Sequence, residues 1–180
     1  QCASGLQAIA IAAGQIVQGG MEVVIAAGQE NISAIQTPYF DWAYRERDAG
    51  VTRGQPSAYM PMLDTAEAVA TAWGISREAQ DALALQSQMR TAAAQAAGRF
   101  DAEIVPVTAS RRIKDKVSGE VREEVVTLGR DEGNRPQTTA EALAALNPVR
   151  EGGAVTAGNA SQLSDGSAAM VLMERRAAER

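Results

Sequence analysis

The chain has 180 residues, of which 46% are hydrophobic and 22% are charged, with a formal net charge of −5. This composition is typical of a globular domain, and the small acidic excess argues against nucleic acid or an anionic membrane as a partner. One cysteine excludes an internal disulfide, and the absence of histidine excludes a histidine-based triad and most zinc sites within the chain. The acidic residues show no metal-ligand spacing, so no metal site is predicted.

The first thirty residues contain a helix pattern followed by a strand pattern. Apolar residues recur every three or four positions from Ala3 to Gln18, which predicts a helix that ends at Gly19-Gly20. The nearly continuous apolar run from Met21 to Ala27 predicts a strand buried on both faces. Helix, glycine turn and strand in this order indicate an α/β architecture with a layered sheet.

Between residues 29 and 61 the apolar periodicity disappears. Gly, Pro, Ser and Asn are frequent there, and the segment also holds most of the aromatic residues of the chain. We predict a long loop, and the aromatic content predicts that this loop is ordered and packed rather than a flexible linker.

Two helices with start and stop signals are predicted after this loop. Asp64 and Glu67 have the spacing of a capping box, and the helix that follows stops at Gly74. Ser76 offers the N-cap of a second, longer helix that ends before Gly98.

A β-hairpin is predicted in the middle of the chain. Glu103–Thr108 has the composition of a strand, and Pro106 predicts an edge position because proline cannot donate to a ladder. A turn at residues 116–121 then leads into a returning strand at Val121–Leu128.

The last part of the chain returns to α/β signals. Thr138 and Glu141 predict a capping box for a short helix, and Ser167–Met173 predicts a buried strand. Because α/β signals occur at both ends, with a mixed segment from about residue 32 to 160 between them, the sequence predicts a layered core with an inserted subdomain.

Cys2 is the principal candidate for chemistry. It lies at or near the N-cap of the first predicted helix, where partial positive charge and unpaired N–H groups favour a thiolate, which is a competent nucleophile. The small residues Ala3, Ser4 and Gly5 leave room for a substrate carbonyl, and their amides are placed to hold an oxyanion. On position alone, a buried structural cysteine is the alternative.

Four segments, in order, resemble the thiolases, that is, the acetyl-CoA acetyltransferases and 3-ketoacyl-CoA thiolases. The first is similar to the nucleophile segment of that family, the second to its Gly-Gly-x-Glu-Ser-Met-Ser segment, and the third to the opening of a helix in its loop domain. The fourth segment is the most specific. In chain order, the four segments are Gln1–Ile9 (QCASGLQAI), Ala27–Ser33 (AGQENIS), Met62–Glu67 (MLDTAE) and Thr156–Ala169 (TAGNASQLSDGSAA).

The resemblance implies an acyl-CoA acyltransferase in which Cys2 attacks a thioester and holds the acyl group. It implies coenzyme A thioesters as substrates, no covalently bound cofactor, and a homodimer or homotetramer of the complete enzyme in a bacterial cytoplasm or an organelle matrix. The second cysteine, the histidines and the Asn-Glu-Ala-Phe segment of the family lie near its C-terminus and are absent from this sequence. We therefore expect a fragment that is inactive alone.

The resemblance also implies a coenzyme A site. Ser161 corresponds to a serine that contacts the pantetheine arm, and Ala157 forms part of the same wall. Arg135 corresponds to an arginine near the adenine nucleotide, and Met62 to a methionine beside the acyl pocket. Without the resemblance, these residues predict a tight turn, a solvated loop arginine and a core methionine.

A thiolase-like layered αβαβα fold follows from the resemblance. Residues 1–31 are then the end of the N-terminal half, residues 32–162 the inserted loop domain that binds coenzyme A, and residues 163–180 the return to the sheet. Two positions depart from the family: Asn31-Ile32-Ser33 replaces the commoner Ser-Met-Ser, and Pro61 replaces a substrate-contacting histidine of some short-chain members. The acyl-chain length is therefore not predicted.

Two other functions stay open. One is a thiolase-like module that binds acyl-CoA or lipid without turnover, and the presence of Cys2 argues against it because a binder needs no nucleophile. The other is a decarboxylating β-ketoacyl synthase, which also places a cysteine at a helix start. The Gly158-Asn159-Ala160-Ser161 segment fits the thiolases better.

Overall fold

The chain contains both helices and strands, in agreement with the α/β architecture that the sequence predicts. The computed structural model describes residues 2–180, apart from the side chain of Thr37. The elements form two compact units: a terminal unit, made of the residues up to Tyr59 with Leu163–Arg180, and an inserted unit, Met60–Gln162. In chain order the elements are α1 (Ser4–Val17), β1 (Val23–Glu30), α2 (Ile32–Arg45), α3 (Ala49–Gly54), α4 (Met62–Trp73), α5 (Arg77–Ala96), β2 (Val107–Lys114), β3 (Val121–Leu128), α6 (Ala140–Ala144), β4 (Gly166–Met173) and α7 (Arg175–Ala178).

Two strands from distant parts of the sequence pair in the terminal unit. β1 and β4 are antiparallel, with Val23 opposite Met173. α1 packs against both strands, and Ala12 of the helix and Ala26 of β1 are buried. Gly20, with φ of 70°, makes the turn between helix and strand, a conformation that favours glycine. The predicted first helix and strand are confirmed.

The face of this β-ladder away from α1 is exposed. Alternate side chains of a strand point to opposite faces, so Val23 and Ile25 share a face with their partners Met173 and Val171. The exposed fractions are 52% for Val23, 65% for Ile25, 57% for Val171 and 46% for Met173. The prediction that the strand at residues 21–27 is buried on both faces is therefore wrong for this chain, because α1 covers one face only.

We expect residues 1–180, produced alone, to self-associate through this apolar face. Replacing both Ile25 and Val171 with threonine, which keeps a β-branched side chain, should raise the monomer fraction measured by sedimentation velocity. Leu83→Gln is the matched control, because Leu83 on α5 is similarly exposed, at 68%, and should leave self-association unchanged. An unmodified chain that stays monomeric at roughly tens of micromolar would contradict the prediction.

The prediction of a loop at residues 29–61 is wrong, since α2 and α3 occupy most of it. Asn31, one of the residues that suggested a loop, is the N-cap of α2, and Asp48 is the N-cap of α3. Asn31 Oδ1 accepts a hydrogen bond from Ala34 N at 3.2 Å, and Asp48 Oδ1 accepts one from Val51 N at 2.7 Å. Each bond satisfies an N–H group that a helix start leaves open. Pro38 lies inside α2, where it has no N–H to donate to the preceding helical turn.

The inserted unit contains α4, α5, α6 and the β2–β3 hairpin. Ser76 Oγ accepts from Ala79 N at 3.2 Å at the start of α5, and Gly74 ends α4 with a left-handed φ of 62°. Both predicted signals are confirmed. Among the residues that the structure describes, no helix combines the length and the apolar character needed to cross a membrane.

The predicted hairpin is present, with its first strand shifted. β2 begins at Val107, directly after Pro106, rather than at residue 103. Asp115 Oδ1 accepts from Ser118 N at 2.7 Å in the turn, and Gly119 has φ of 78°. The backbone N–H groups of Ser118 and Val117 donate to the Asp115 carboxylate and hold its pKa below the ordinary value, because they favour the charged form.

The cap of α6 lies one residue later than the sequence predicts. Thr139 Oγ1 accepts from Ala142 N at 3.2 Å and is the N-cap. Thr138, which was expected in a capping box with Glu141, donates its hydroxyl to Arg135 O at 2.7 Å. This bond closes the loop that carries Arg135 onto the start of the helix.

Candidate functional site

Cys2 is exposed and precedes the N-terminus of α1. The N-cap residue, Ala3, has no side-chain oxygen and makes no capping hydrogen bond. The first backbone bond of the helix runs from Gln7 N to Ala3 O at 2.9 Å. The first amides of an α-helix have no partner within the helix, and among the residues that the structure describes no N-cap side chain accepts from them. These donors are available to a thiolate or to the oxygen of a bound carbonyl.

Ala157 and Ser161 lie together on a loop between α6 and β4, which we call the 154–161 loop. Both residues are exposed, whereas Val155 and Thr156 of the same loop are 6% and 0% exposed. Ser161 Oγ donates to Gln162 O at 3.1 Å. The loop therefore has a buried side that fixes it in the fold and an exposed side that presents Ala157 and Ser161.

Hydrogen bonds within the loop close it into a tight turn. Asn159 Oδ1 accepts from Thr156 N at 2.8 Å, and Thr156 Oγ1 accepts from Gly158 N at 3.1 Å. Asn159 Nδ2 also donates to Ala154 O at 3.0 Å. The tight turn that small and polar residues predict for this segment is confirmed.

A carboxylate from α4 holds the start of the loop. Glu67 Oε1 accepts from Ala154 N at 3.0 Å and from Val155 N at 2.8 Å. The chain approaches so closely here that a Cβ at Gly153 would clash with Glu67 Oε1. Glycine at this position therefore lets the backbone reach the carboxylate.

The capping box predicted at residues 64–67 is wrong. α4 begins at Met62 with Pro61 as its N-cap, and Pro61 makes no side-chain capping bond. Asp64 Oδ1 instead accepts from Arg150 Nε at 2.6 Å. Both carboxylates have partners distant in sequence, which a local spacing rule does not detect.

A buried carboxylate on α5 holds the middle of the loop. Asp81 is 8% exposed, and its Oδ1 accepts from Asn159 Nδ2 at 2.9 Å. Its Oδ2 accepts from Arg77 Nε at 2.7 Å. Arg77 Nη2 in turn donates to the carbonyl oxygens of Leu143 at 2.6 Å and Leu146 at 3.0 Å. The charge of Asp81 is thus paired and hydrogen-bonded, as burial requires.

The other two predicted site residues also lie in the inserted unit. Arg135 is exposed, and its backbone N donates to Gln88 Oε1 of α5 at 2.8 Å. Met62 is 77% exposed at the start of α4, so it is not a core methionine within this chain. Met62, Arg135 and the 154–161 loop belong to one compact unit, and Cys2 belongs to the other.

Sequence reasoning misses Arg77, Asp81 and Asn159 as a group. The only local signal is the spacing of Arg77 and Asp81, four residues apart on one helix. Asn159 is 78 residues from Asp81, so no local pattern joins them. Among the residues described, no group of three or more acidic, cysteine or histidine side chains could hold a metal ion.

In the terminal unit, a carboxylate joins two parts of the chain that are distant in sequence. Asp165, just before β4, accepts from Ser33 N at 2.9 Å through Oδ1, and from the Ser33 hydroxyl through Oδ2. The Ser33 hydroxyl and backbone donors hold the pKa of Asp165 below its ordinary value of 3.8. These bonds connect the start of α2 to the strand that pairs with β1.

Because the pKa of Asp165 is lowered in the fold, its contribution to stability is present above pH 3.8 and is lost as the pH falls through the lowered pKa. We expect Asp165→Asn in the complete protein to be less stable at neutral pH, and its thermal midpoint to change less with acid in this range. Ser33→Ala removes the main cause of the pKa shift, so the thermal midpoint of this variant should also change less with acid, though by a smaller amount than in Asp165→Asn. Equal pH profiles for all three proteins would contradict the prediction.

Residues 1–176 match the model of the family described as thiolase, N-terminal domain. The chain belongs to the thiolase family. It is 44% identical over 181 residues to the 3-ketoacyl-CoA thiolase of Bacillus subtilis, covering 99% of this chain and 45% of that relative. The chain thus spans less than half the length of this thiolase.

Solved thiolase structures share the fold. The human mitochondrial 3-ketoacyl-CoA thiolase in complex with CoA has a TM-score of 0.70 and 33% identity, covering 99% of this chain and 44% of that one. The dimeric peroxisomal thiolase of Saccharomyces cerevisiae has a TM-score of 0.77 and 31% identity, with coverage of 99% and 43%. The predicted thiolase membership and thiolase-like α/β fold are confirmed, and the relatives belong to the acyltransferase class that the sequence predicts.

Proposed function

We propose that the protein containing this chain is a 3-ketoacyl-CoA thiolase whose nucleophile is Cys2. The observation that carries the proposal is the position of Cys2, exposed beside the uncapped N-terminus of α1 within a segment that resembles the thiolase nucleophile. The name of the Bacillus subtilis relative supports the substrate class.

In thiolysis, the thiolate sulfur of Cys2 attacks the keto carbon of 3-ketoacyl-CoA. The bond between this carbon and the α-carbon breaks, and the α-carbon takes a proton as acetyl-CoA leaves. The thiolate of a second CoA then attacks the acyl-cysteine thioester, which regenerates Cys2 and releases a shortened acyl-CoA. Free amides in the first turn of α1 would stabilise the negative charge on the carbonyl oxygen during each attack.

The resemblance to the thiolases assigns the proton transfers to a second cysteine and to histidines. The 180 residues contain no histidine and only one cysteine, and one cysteine cannot be both nucleophile and base. We therefore propose that residues 1–180 alone are inactive and that the rest of the protein supplies the acid–base groups.

The exposed side of the 154–161 loop is the proposed binding surface for the pantetheine arm, through Ala157 and Ser161. We further propose Arg135 for the adenine nucleotide and Met62 for the acyl pocket. Residues 32–162 stay the predicted loop domain, although the compact inserted unit begins at Met60. The yeast structure of a dimeric thiolase supports a homo-oligomer, and a cytoplasmic or organelle-matrix location stays a prediction.

The test is a thiolysis assay on the complete polypeptide that contains residues 1–180. We expect CoA-dependent cleavage of 3-ketoacyl-CoA substrates, and a series of chain lengths will give the acyl preference. Residues 1–180 alone should show no turnover in the same assay. A complete protein that binds CoA and never cleaves 3-ketoacyl-CoA would contradict the proposal and favour a binding module.

A further inference from the structure

We propose that Glu67 and Asp81 are positioning residues for coenzyme A, an inference that rests on the proposed function. Neither carboxylate is among the residues assigned above to substrate contact. Both bind the buried side of the 154–161 loop, whose exposed side carries Ala157 and Ser161. The two carboxylates would set where this surface meets the pantetheine arm.

Glu67 acts on the backbone of the loop rather than on its side chains. Its carboxylate accepts from the N–H groups of Ala154 and Val155, with distances of 2.8 to 3.0 Å. Hydrogen bonds to an ionised carboxylate are stronger than those between neutral groups. The start of the loop is therefore attached to α4 two residues before Thr156.

Asp81 acts through Asn159. The amide of Asn159 joins three points: Asp81 Oδ1 at 2.9 Å, Ala154 O at 3.0 Å and Thr156 N at 2.8 Å. Arg77 fixes the other oxygen of Asp81 at 2.7 Å. Since Asn159 lies between Ala157 and Ser161 in the sequence, the position of its side chain sets the backbone on both sides.

Leu143 of α6 and Leu146, just after it, close the space beneath the loop. A Cβ at Gly158 would lie 2.5 Å from Leu143 Cδ2 and 2.6 Å from Leu146 Cδ1. The loop backbone thus lies directly on these two leucines, and it cannot settle deeper into the unit. The carboxylates prevent the opposite movement, away from the unit, so the loop is held from both directions.

A loop held in this way is ordered before its ligand arrives. Preorganisation lowers the conformational entropy that binding removes, and so it strengthens affinity without adding a ligand contact. The effect appears mainly in the affinity for CoA, because the loop lies in a different compact unit from Cys2. A residue that only stabilised the fold would change the affinity for CoA and the reactivity of Cys2 together.

The test uses the complete protein and measures the dissociation constant of CoA by titration calorimetry. We expect Glu67→Ala and Asp81→Asn to weaken CoA binding by roughly tenfold or more. Glu67→Gln keeps one acceptor oxygen and should recover part of that loss. Asp64→Asn is the matched control, since Asp64 lies on the same helix and binds Arg150 rather than the loop; it should leave the dissociation constant unchanged.

A second readout separates positioning from a structural role. In the Glu67 variants the KM for CoA should rise while kcat at saturating CoA and the rate of Cys2 alkylation by iodoacetamide stay within about threefold. If the unsubstituted protein binds no CoA, the proposed function fails. If it binds CoA and the Glu67 variants bind equally well, or if kcat falls with no change in KM, the positioning role is overturned. Glu67 is only half-buried, so its variants decide the question if Asp81→Asn does not fold.

Discussion

Cys2→Ala in the complete protein is expected to lower kcat/KM for thiolysis by about a thousandfold or more. Without the sulfur, no acyl-enzyme forms, and the covalent route that divides the reaction into two steps is lost. The measurement is cleavage of 3-ketoacyl-CoA in the presence of CoA, with acyl-enzyme detected by intact mass after quenching.

The same variant separates an enzyme from a binder. CoA affinity should be retained, because the proposed contacts of the pantetheine arm are Ala157 and Ser161, in a different compact unit from Cys2. Cys2→Ser serves as the conservative companion and should also be nearly inactive, since a serine hydroxyl is a much weaker nucleophile than a cysteine thiolate at neutral pH. Turnover within tenfold of the unsubstituted protein would contradict the assignment of Cys2.

Leu143→Ala is expected to destabilise the inserted unit by about 2–5 kcal/mol. Leu143 is 4% exposed, and its side chain lies against the backbone of Gly158. Truncation removes buried apolar contacts and leaves a cavity beneath the 154–161 loop. The measurement is hydrogen exchange of peptides from α6 and the loop, because local opening in a larger protein is not reported by a single global transition.

Leu146→Ala is the matched comparison for that variant. Leu146 also lies against Gly158 but is 37% exposed. Its truncation therefore exposes less apolar surface to water, and the loss should be smaller, about 1 kcal/mol. Equal losses of stability in Leu143→Ala and Leu146→Ala would contradict the prediction that the more buried leucine contributes more.

The elements that the sequence predicts correctly carry their signals locally. α1 has three- and four-residue apolar spacing, the start of α5 has Ser76 as a cap, and the end of α4 has Gly74. The errors occur where a polar residue has more than one possible partner. The sequence predicts a loop at Asn31, which is a helix cap. It predicts a capping box at Glu67, which binds a loop 87 residues away.

Some residues of the candidate site are likewise predicted from the sequence, and others are found only in the structure. Cys2 and the 154–161 loop are recognised because the thiolase motifs contain them. Asp81 and Glu67 are not recognised as loop contacts, because their roles depend on neighbours 78 and 87 residues distant. Burial supplies the missing information, since a carboxylate that is 8% exposed needs a partner and the structure shows which one.

The pairing of β1 with β4 has a consequence for how the chain is made. β1 ends at Glu30 and β4 begins at Gly166, so residues 31–165, which number 165 − 30 = 135, are synthesised between them. At about 5–20 residues per second, β1 waits roughly 7–27 s on the ribosome for its partner. The inserted unit can fold within that interval. Until β4 has been synthesised, the hydrogen-bonding edge of β1 stays open to other nascent chains, and folding of the inserted unit cannot close it.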